Sequence, residues 1–192
     1  MSYMEQGHLG GYIVGGDSAT YYPELWTWLI EELGIESMID VGCGEGHALR
    51  FFEAFGCGGI GIEGTPQEHP QIVQHDYTTG SWPDRVRGNR MEGATGLAWC
   101  CEFVEHIEER YVPNFLETFL MSNLVLMTHA EPDQPGYHHV NCQTADYWKG
   151  AMAAIGYAYD EILTATTREL ARANPDPHNH YVRSGLAFRR YE

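Results

Sequence analysis

The hydrophobic positions of the chain form short apolar runs, separated by stretches with helical periodicity. The runs predict strands at residues 37–41, 59–63, 72–76, 97–103 and 123–127, and two closing strands at 157–164 and 181–188. Alternation of strands with helices is typical of a wound α/β sheet. Because only irregular sequence and a short helix separate the closing strands, we expect them to be antiparallel neighbours.

Four helices are predicted between these strands. Pro23 suits the first turn of a helix that begins after Thr20, and Thr144 is a good N-cap for the last helix. The other two helices are expected after the glycines of 42–46 and near 112–119. The positions predicted to face inward are Leu25, Trp28, Leu29, Leu49, Phe52, Phe55, Tyr147, Trp148, Met152 and Ile155.

Two long connections interrupt the alternation. Residues 77–95 are rich in Gly, Pro and Asp and predict a surface connection, whereas residues 130–143 predict a lid or acceptor loop. The sequence contains no internal repeat and no low-complexity segment. We therefore expect a single domain over 1–192, with residues 1–34 forming an N-terminal helical cap.

Composition and charge exclude several classes of protein. The 192 residues are 43% hydrophobic and 20% charged, as in globular domains, and no apolar run approaches the roughly 20 residues of a membrane helix. A net charge of −16 disfavours nucleic acid and anionic membranes as partners, although Arg183, Arg189 and Arg190 could form a local basic patch. The odd cysteine count of five and the absence of a signal-peptide pattern predict reduced thiols in the cytoplasm.

The most informative segment is Asp40-Val-Gly-Cys-Gly-Glu-Gly46, which joins an apolar strand to a helix. Its glycines at 42, 44 and 46 allow a tight turn and a close approach of a ligand to the backbone. A dinucleotide-binding turn would place its third glycine at position 47, where this chain has His47. We therefore expect a ligand without a pyrophosphate, the alternative being a glycine-rich turn that binds nothing.

Two acids follow the next two predicted strands. Glu63 lies nineteen residues after Gly44, where a carboxylate can accept both hydrogen bonds from the vicinal hydroxyls of a ribose. Asp76 is placed to meet an adenine amine, with Tyr77 stacking near the ring. Each residue has a structural alternative: a surface acid for Glu63, a turn-forming acid for Asp76 and a packed ring for Tyr77.

These segments resemble successive motifs of class I S-adenosylmethionine-dependent methyltransferases. The order and spacing of the motifs match over about residues 36–129, with Gly96 departing from the acid that relatives often carry there. The resemblance implies a Rossmann-like, doubly wound sheet of seven strands, mostly parallel with the last strand antiparallel. It also implies that S-adenosylmethionine lies across 42–46. The implied cofactor-binding residues are Asp40, Gly42, Gly44, Gly46, Glu63, Asp76, Tyr77 and Glu102.

A second motif, Glu102-x-x-Glu105-His106, suggests a metal. On a helix its three side chains would share one face. The motif is similar to one in metal-dependent O-methyltransferases of the ubiquinone pathway and of small-RNA ends, and the second group nominates His139 as a further ligand. This resemblance implies Mn²⁺ or Mg²⁺ held by Glu102, Glu105, His106 and His139. The alternative is that the acids cap a helix and His106 packs in the core.

The chemistry of a sulfonium donor limits what the protein must supply. Alignment of acceptor and methyl in a desolvated pocket provides much of the rate, and a hydroxyl acceptor also needs a base or a metal. His106 and His139 are the predicted catalytic bases, with His129 and His138 as further candidates. We expect O-methylation of a small molecule or sugar, in a pocket built from 1–20, 77–95 and 130–143.

The sequence leaves two alternatives to a small-molecule O-methyltransferase open. One is a catalytically silent cofactor-binding or scaffolding protein, which would bind the cofactor without turnover. The other is a 2′-O-methyltransferase of RNA ends, which would share the fold but conflicts with the net charge of −16.

Overall fold

The structure is a computed structural model that describes residues 7–9, 13–82 and 95–191. Within these residues one sheet is built from β1 (Ile35–Val41), β2 (Gly58–Glu63), β3 (Ile72–Gln74), β4 (Thr95–Cys100), β5 (Leu124–Met127), β6 (Tyr157–Tyr159) and β7 (Leu186–Arg190). Its strand order is β3-β2-β1-β4-β5-β7-β6. The first five strands pair in parallel, and β7 is antiparallel to both β5 and β6. The predicted seven-stranded sheet with an antiparallel last strand is confirmed.

Helices cover both faces of this sheet. They are α1 (Pro23–Glu31), α2 (His47–Ala54), α3 (Val112–Phe119), α4 (Ala145–Ala154), α5 (Glu161–Ala171) and α6 (His180–Ser184). No helix in the described residues combines the length and apolar character that crossing a membrane requires.

The alternation of side chains along the central strands creates two hydrophobic layers. In β5, Val125 and Met127 face the layer that contains residues of α3 and α4, whereas Leu124 and Leu126 face the layer that contains residues of α1, α2 and α5. All four side chains are buried. A strand that is apolar on both faces is typical of a sheet covered on both sides.

One inward-facing prediction is wrong, at the end of a helix. In α1, Leu25, Trp26 and Leu29 are buried, and Trp28 is partly buried against the same hydrophobic layer. Phe55 lies just after α2 ends and is 47% exposed, with its ring stacked on Phe51 at 4.9 Å. The helical spacing was correct for α2, but the chain leaves the helix before Phe55 can face the core.

The C-terminal strand predictions are too long. Only residues 157–159 of the predicted strand 157–164 form β6, because the Asp160 side chain accepts a hydrogen bond from the backbone N–H of Leu163 and starts α5. Residues 181–184 belong to α6, and β7 follows. The two short strands are nevertheless antiparallel neighbours, as predicted.

The segment after β4 also differs from its prediction. The strand ends at Cys100 instead of continuing to residue 103, and residues 104–106 and 109–111 form short 3₁₀ turns before α3. The start of α3 at Val112, the N-cap at Thr144 and the irregular loop 130–143 agree with the sequence. Of the predicted connection at 77–95, residues 83–94 lie outside the described part of the chain.

Candidate functional site

A cavity of about 1020 Å³ opens at the carboxyl ends of β1, β2 and β4. The turn after β1 contributes its floor, and Gly42, Gly44 and Gly46 have φ angles of 74°, 51° and 76°. Residues with side chains rarely adopt this left-handed conformation. At Gly42 a Cβ atom would also lie only 2.5 Å from the Phe103 ring. The glycines are therefore required by the backbone path that brings the turn to the cavity.

Glu63 ties this turn to the end of β2. One carboxylate oxygen accepts the backbone N–H of Gly44 at 3.0 Å. The other oxygen accepts the N–H and the hydroxyl of Thr65 at 3.1 and 3.0 Å. Glu63 is buried yet lines the cavity, and a carboxylate has about four acceptor positions. The three protein hydrogen bonds therefore fix its position and leave acceptor capacity for a ligand hydroxyl.

Asp40, at the same edge on β1, is only 4% exposed and lines the cavity. Burial raises the pKa of this carboxyl to about 8, and the nearby charge of Glu63 adds to the shift. Without a ligand, burial therefore favours the uncharged form of Asp40. A cationic ligand beside it would favour the ionised form.

Asp76 and Tyr77 lie just after β3 and also line the cavity. Burial acts to raise the pKa of Asp76, but hydrogen bonds from Thr78 and from His8 outweigh it and lower the pKa. Tyr77 is buried; its hydroxyl pairs with Thr118 at 2.9 Å and its ring packs against Phe103. The packed alternative therefore describes Tyr77 better than a free stacking ring.

Glu102 follows β4 in a left-handed conformation, with a φ of 52°, which is costly for a residue with a side chain. Three contacts hold it there. Its N–H donates to the Thr128 hydroxyl at 2.8 Å, and that hydroxyl lies 2.9 Å from one carboxylate oxygen. The other oxygen lies 2.9 Å from Nδ1 of His180. These hydrogen bonds lower the pKa of Glu102 although burial opposes them.

His180 and Asp17 are cavity residues that the sequence analysis missed. His180 is the first residue of α6, and its Nε2 lies 3.6 Å from a carboxylate oxygen of Asp17. Burial acts to lower the pKa of His180, but the hydrogen bond and charge of Glu102 raise it above its ordinary value. An antiparallel last strand begins at the edge of the sheet where the parallel strands end. The residues just before β7 are therefore expected near the cavity, and this rule would have placed His180 there.

A second cluster joins Glu105, His106 and His139, whose potential ligand atoms all lie within 4.8 Å of one another. Glu105 is fully buried, and neither of its carboxyl oxygens has a hydrogen-bond partner among the described residues. Burial raises the pKa of Glu105 well above its ordinary value, and the charge of Glu102 adds to this. His106 Nδ1 is likewise buried without a described partner, and burial lowers its pKa.

The structure brings together three of the four residues of the predicted metal set. Glu105, His106 and His139 come together, but Glu102 turns its carboxylate toward Thr128 and His180. The shared helix face does not exist, because residues 104–106 form a single 3₁₀ turn and Glu102 precedes it. The further base candidates His129 and His138 do not line the cavity.

Solved structures of methyltransferases are similar to this chain in fold. The 1,6-didemethyltoxoflavin-N1-methyltransferase of Burkholderia thailandensis, bound to 1,6-didemethyltoxoflavin and S-adenosylhomocysteine, aligns with a TM-score of 0.62 and 12% identity. The alignment covers 100% of this chain and 88% of that one. An S-adenosylmethionine-dependent methyltransferase of Archaeoglobus fulgidus aligns with a TM-score of 0.54 and 13% identity, over 91% and 94% of the two chains. The fold is that of class I S-adenosylmethionine-dependent methyltransferases.

A third structure with the methyltransferase fold is human N-acetylserotonin methyltransferase in complex with S-adenosylmethionine. It aligns with a TM-score of 0.51 and 10% identity, over 88% of this chain and 51% of that chain. No protein-family model and no curated protein sequence matches the chain. The solved structures nevertheless confirm, at the level of the fold, the sequence resemblance to these methyltransferases.

The cavity of this methyltransferase fold is strongly acidic. Among the described residues that line it, none is Lys or Arg. The acidic lining residues are Asp17, Glu24, Asp40, Glu45, Glu63, Asp76, Glu102 and Asp176. A cleft lined by one sign of charge focuses the field on ligands of the opposite sign. The cavity therefore favours a cation over an anion.

Proposed function

We propose that the chain is an S-adenosylmethionine-dependent methyltransferase that acts on a small molecule. The observation that carries this proposal is the hydrogen bond between Gly44 and Glu63 at the floor of the cavity. It joins a left-handed glycine turn, which a ligand can approach closely, to a fixed carboxylate with spare acceptor capacity. The acidic lining also suits a cofactor that carries a sulfonium.

In this proposal, different cavity residues bind different parts of the cofactor. Glu63 accepts the ribose hydroxyls, and Asp76 faces the adenine end. Asp40 lies toward the amino-acid end, where a bound ammonium would draw its carboxyl into the ionised form. When bound, the cofactor supplies an activated methyl group on sulfur. The residues after β4, including Glu102 and His106, then line the space left for the acceptor.

A small molecule is the acceptor that the cavity favours, and we propose that it carries a hydroxyl group. The whole cavity is about 1020 Å³, close to the size of small-molecule sites, and it must hold both cofactor and acceptor. The lack of Lys and Arg in its described lining argues against an RNA end, whose phosphates need cations. We also propose a reducing compartment such as the cytoplasm as the location, with which five free cysteines are compatible.

We also propose that the cluster of Glu105, His106 and His139 binds Mn²⁺ or a similar divalent cation. What favours this is the buried carboxyl of Glu105, which has no hydrogen-bond partner among the described residues, beside an equally unpartnered His106 nitrogen. A bound cation would satisfy both groups, and mixed carboxylate and imidazole ligands suit such a metal. The metal would act as a Lewis acid toward an acceptor oxygen.

The cofactor assignment is tested by calorimetric titration with S-adenosylhomocysteine. Gly44→Val should abolish binding, because valine is strained at this φ and its side chain would occupy the turn. Gly58→Val is the matched control, since Gly58 has an ordinary φ and open space around its Cβ position. Unchanged affinity in Gly44→Val would contradict the proposal.

Turnover separates an enzyme from a silent cofactor-binding protein. The protein is incubated with S-adenosylmethionine and a panel of phenols, catechols and hydroxylated heterocycles, and the formation of S-adenosylhomocysteine is measured. We expect turnover with at least one class. Tight cofactor binding with no turnover on any acceptor would favour the silent alternative.

The metal assignment is tested without activity. Mn²⁺ alone is added to chelator-treated protein and thermal unfolding is followed. A raised Tm is expected for the wild type and for His138→Gln, but not for His139→Gln. Equal behaviour of the two variants, or no shift in the wild type, would contradict a metal at this cluster.

A further inference from the structure

His180 lies between two carboxylates in the wall of the cavity. Its Nδ1 is 2.9 Å from Glu102, and its Nε2 is 3.6 Å from Asp17. Both the imidazole and the Glu102 side chain are 18% exposed, so the pair is half-buried but reaches the cavity. The three residues come from the chain before α1, the segment just after β4 and the start of α6. Three separate elements thus converge on one imidazole.

The geometry matches that of an oriented base. A carboxylate on Nδ1 fixes the ring and its tautomer, which leaves Nε2 as the nitrogen that can accept a proton. The Asp17 oxygen at 3.6 Å is beyond ordinary hydrogen-bond distance from Nε2. Nε2 is therefore not tied to Asp17 and is available to a substrate hydroxyl.

His106 and His139 are less suited to this role. Burial lowers the pKa of His106, and its Nδ1 has no partner among the described residues. Nδ1 of His139 is 3.1 Å from the carbonyl oxygen of Gln134 rather than a carboxylate. If these two histidines hold a metal, as proposed above, neither is free to accept a proton.

We infer that His180, oriented by Glu102, is the catalytic base that takes the hydroxyl proton of an aromatic acceptor. This inference rests on the proposed function. In the step, the acceptor O–H proton moves to Nε2 of His180 while the oxygen forms a bond to the methyl carbon. The carbon–sulfur bond breaks and its electron pair stays on sulfur, giving neutral S-adenosylhomocysteine. The proton on His180 then returns to solvent.

The surroundings of the imidazole support both the base and an aromatic acceptor. Glu102 and Asp17 stabilise the protonated ring that the step creates, Asp176 lies nearby in the loop before α6, and the charge of Arg183 in α6 opposes protonation. Rings that line the same cavity offer apolar walls to an aromatic molecule. They are Tyr21, Trp26, Tyr77, Trp99, Phe103 and Tyr137.

The test uses 4-nitrophenol, whose ionised form is coloured, with protein saturated in S-adenosylhomocysteine. Below the pKa of the free probe, we expect the wild type to bind it as the phenolate, with the proton on His180. His180→Asn should bind the probe in its protonated form, and Glu102→Gln should give an intermediate fraction. His178→Asn is the matched control, because this nearby histidine is exposed and does not line the cavity.

Methyl transfer from S-adenosylmethionine to the same probe supplies a second readout. His180→Asn should lower kcat by about 100-fold or more below the probe's pKa, the range for loss of a general base. The deficit should shrink above that pKa, because a phenol that is already ionised needs no base. A purely structural role for His180 would instead give the same deficit at every pH.

The outcomes separate this inference from the proposed function. Failure of the wild type to bind S-adenosylhomocysteine would contradict the proposed function itself. If the cofactor binds normally, three results would contradict the inference but not the proposed function. These are no binding of 4-nitrophenol, binding of 4-nitrophenol in its unionised form, or a His180→Asn deficit that does not vary with pH. The expected result is cofactor binding in every variant, a pH-dependent deficit in His180→Asn, a smaller one in Glu102→Gln and none in His178→Asn.

Discussion

Single residues at the cavity floor connect the ends of adjacent strands. Glu63 receives its hydrogen bonds from the glycine turn after β1 and from Thr65 after β2, so its position is fixed before any ligand arrives. Asp40 sits on the neighbouring strand and is affected by the charge of Glu63. Such preorganisation lowers the cost of ordering side chains when a ligand binds.

The first prediction concerns Glu63. Glu63→Ala should weaken S-adenosylhomocysteine binding by about 1.5–3 kcal/mol, the range for hydrogen bonds to a charged group, or roughly 10- to 150-fold in Kd. Calorimetry measures the affinity, and thermal unfolding checks that the variant is folded. The control is Glu68→Ala, which removes an exposed acid in the same loop. A loss in Glu63→Ala no larger than in the control would place the ribose elsewhere.

The second prediction concerns the pH dependence that Asp40 imposes. Its pKa of about 8 in the folded protein exceeds its ordinary value of 3.8, so the folded state binds the proton more tightly. This stabilisation is complete below about pH 4 and is lost as pH rises toward 8, with a slope of about 1.4 kcal/mol per pH unit.

Asp40→Asn replaces the titrating carboxyl group by an amide, so the pH dependence of its stability is the reference for the wild type. The free energy of unfolding of the wild type should fall relative to Asp40→Asn between pH 5 and pH 8, in titrations with urea at each pH. Asp133→Asn, at an exposed position, should follow the wild type throughout. Parallel wild-type and Asp40→Asn curves would show that Asp40 is already ionised in the folded protein.

At the scale of elements, local signals determine what the sequence can predict. Val112 and Phe119 bound α3 as predicted, because the Val-Pro start and the apolar spacing are contained within the helix. The first residues of α5 were predicted as part of a strand because their β-branched side chains favour a strand. Asp160 caps α5 nonetheless, and the Thr167 hydroxyl bonds to the Leu163 carbonyl within the helix. The cap and the burial of Leu163 and Ala171 in the core together outweigh the intrinsic preference of the β-branched residues.

The third prediction tests the corresponding cap of α4. Thr144 accepts a hydrogen bond from the Tyr147 N–H at 3.2 Å, and the helix buries Trp148 and Met152 completely. Thr144→Ala should lower the free energy of unfolding by about 1 kcal/mol, within the 0.5–2 kcal/mol range for lost N-caps. Urea unfolding measures it. Thr166→Ala inside α5 is the control and should be neutral or slightly stabilising.

At the scale of the whole molecule, the two sides of the cavity differ in how far the sequence predicts them. The side that we propose for the cofactor depends on consecutive residues at strand ends, so the glycine turn, Glu63 and Asp76 could be placed at the cavity from their spacing. The side that we propose for the acceptor combines segments that are distant in the chain, as in the pair of His180 and Glu102. No local pattern connects such residues, and only the direction of β7 indicated that they meet.

Two cavity-lining segments, 13–22 and 173–180, contact each other. The Ser18 hydroxyl donates to Asp176 at 2.7 Å, and the Asn174 side chain donates to the carbonyl oxygens of Ser18 and Tyr21 at 2.7 and 2.8 Å. Residues from both segments line the cavity. A ligand in the cavity should therefore stabilise the two segments as one unit.

The fourth prediction follows from this coupling and is measured by amide hydrogen exchange. Saturating S-adenosylhomocysteine should slow exchange in peptides covering 13–22 and 173–180 together, because opening either segment breaks contacts with the other. Asn174→Ala removes the hydrogen bonds to Ser18 and Tyr21, so exchange in 13–22 should become faster without ligand and protection in the two segments should separate. The Thr166→Ala variant should behave as the wild type. Protection of 173–180 alone would show that the N-terminal segment does not close over the ligand.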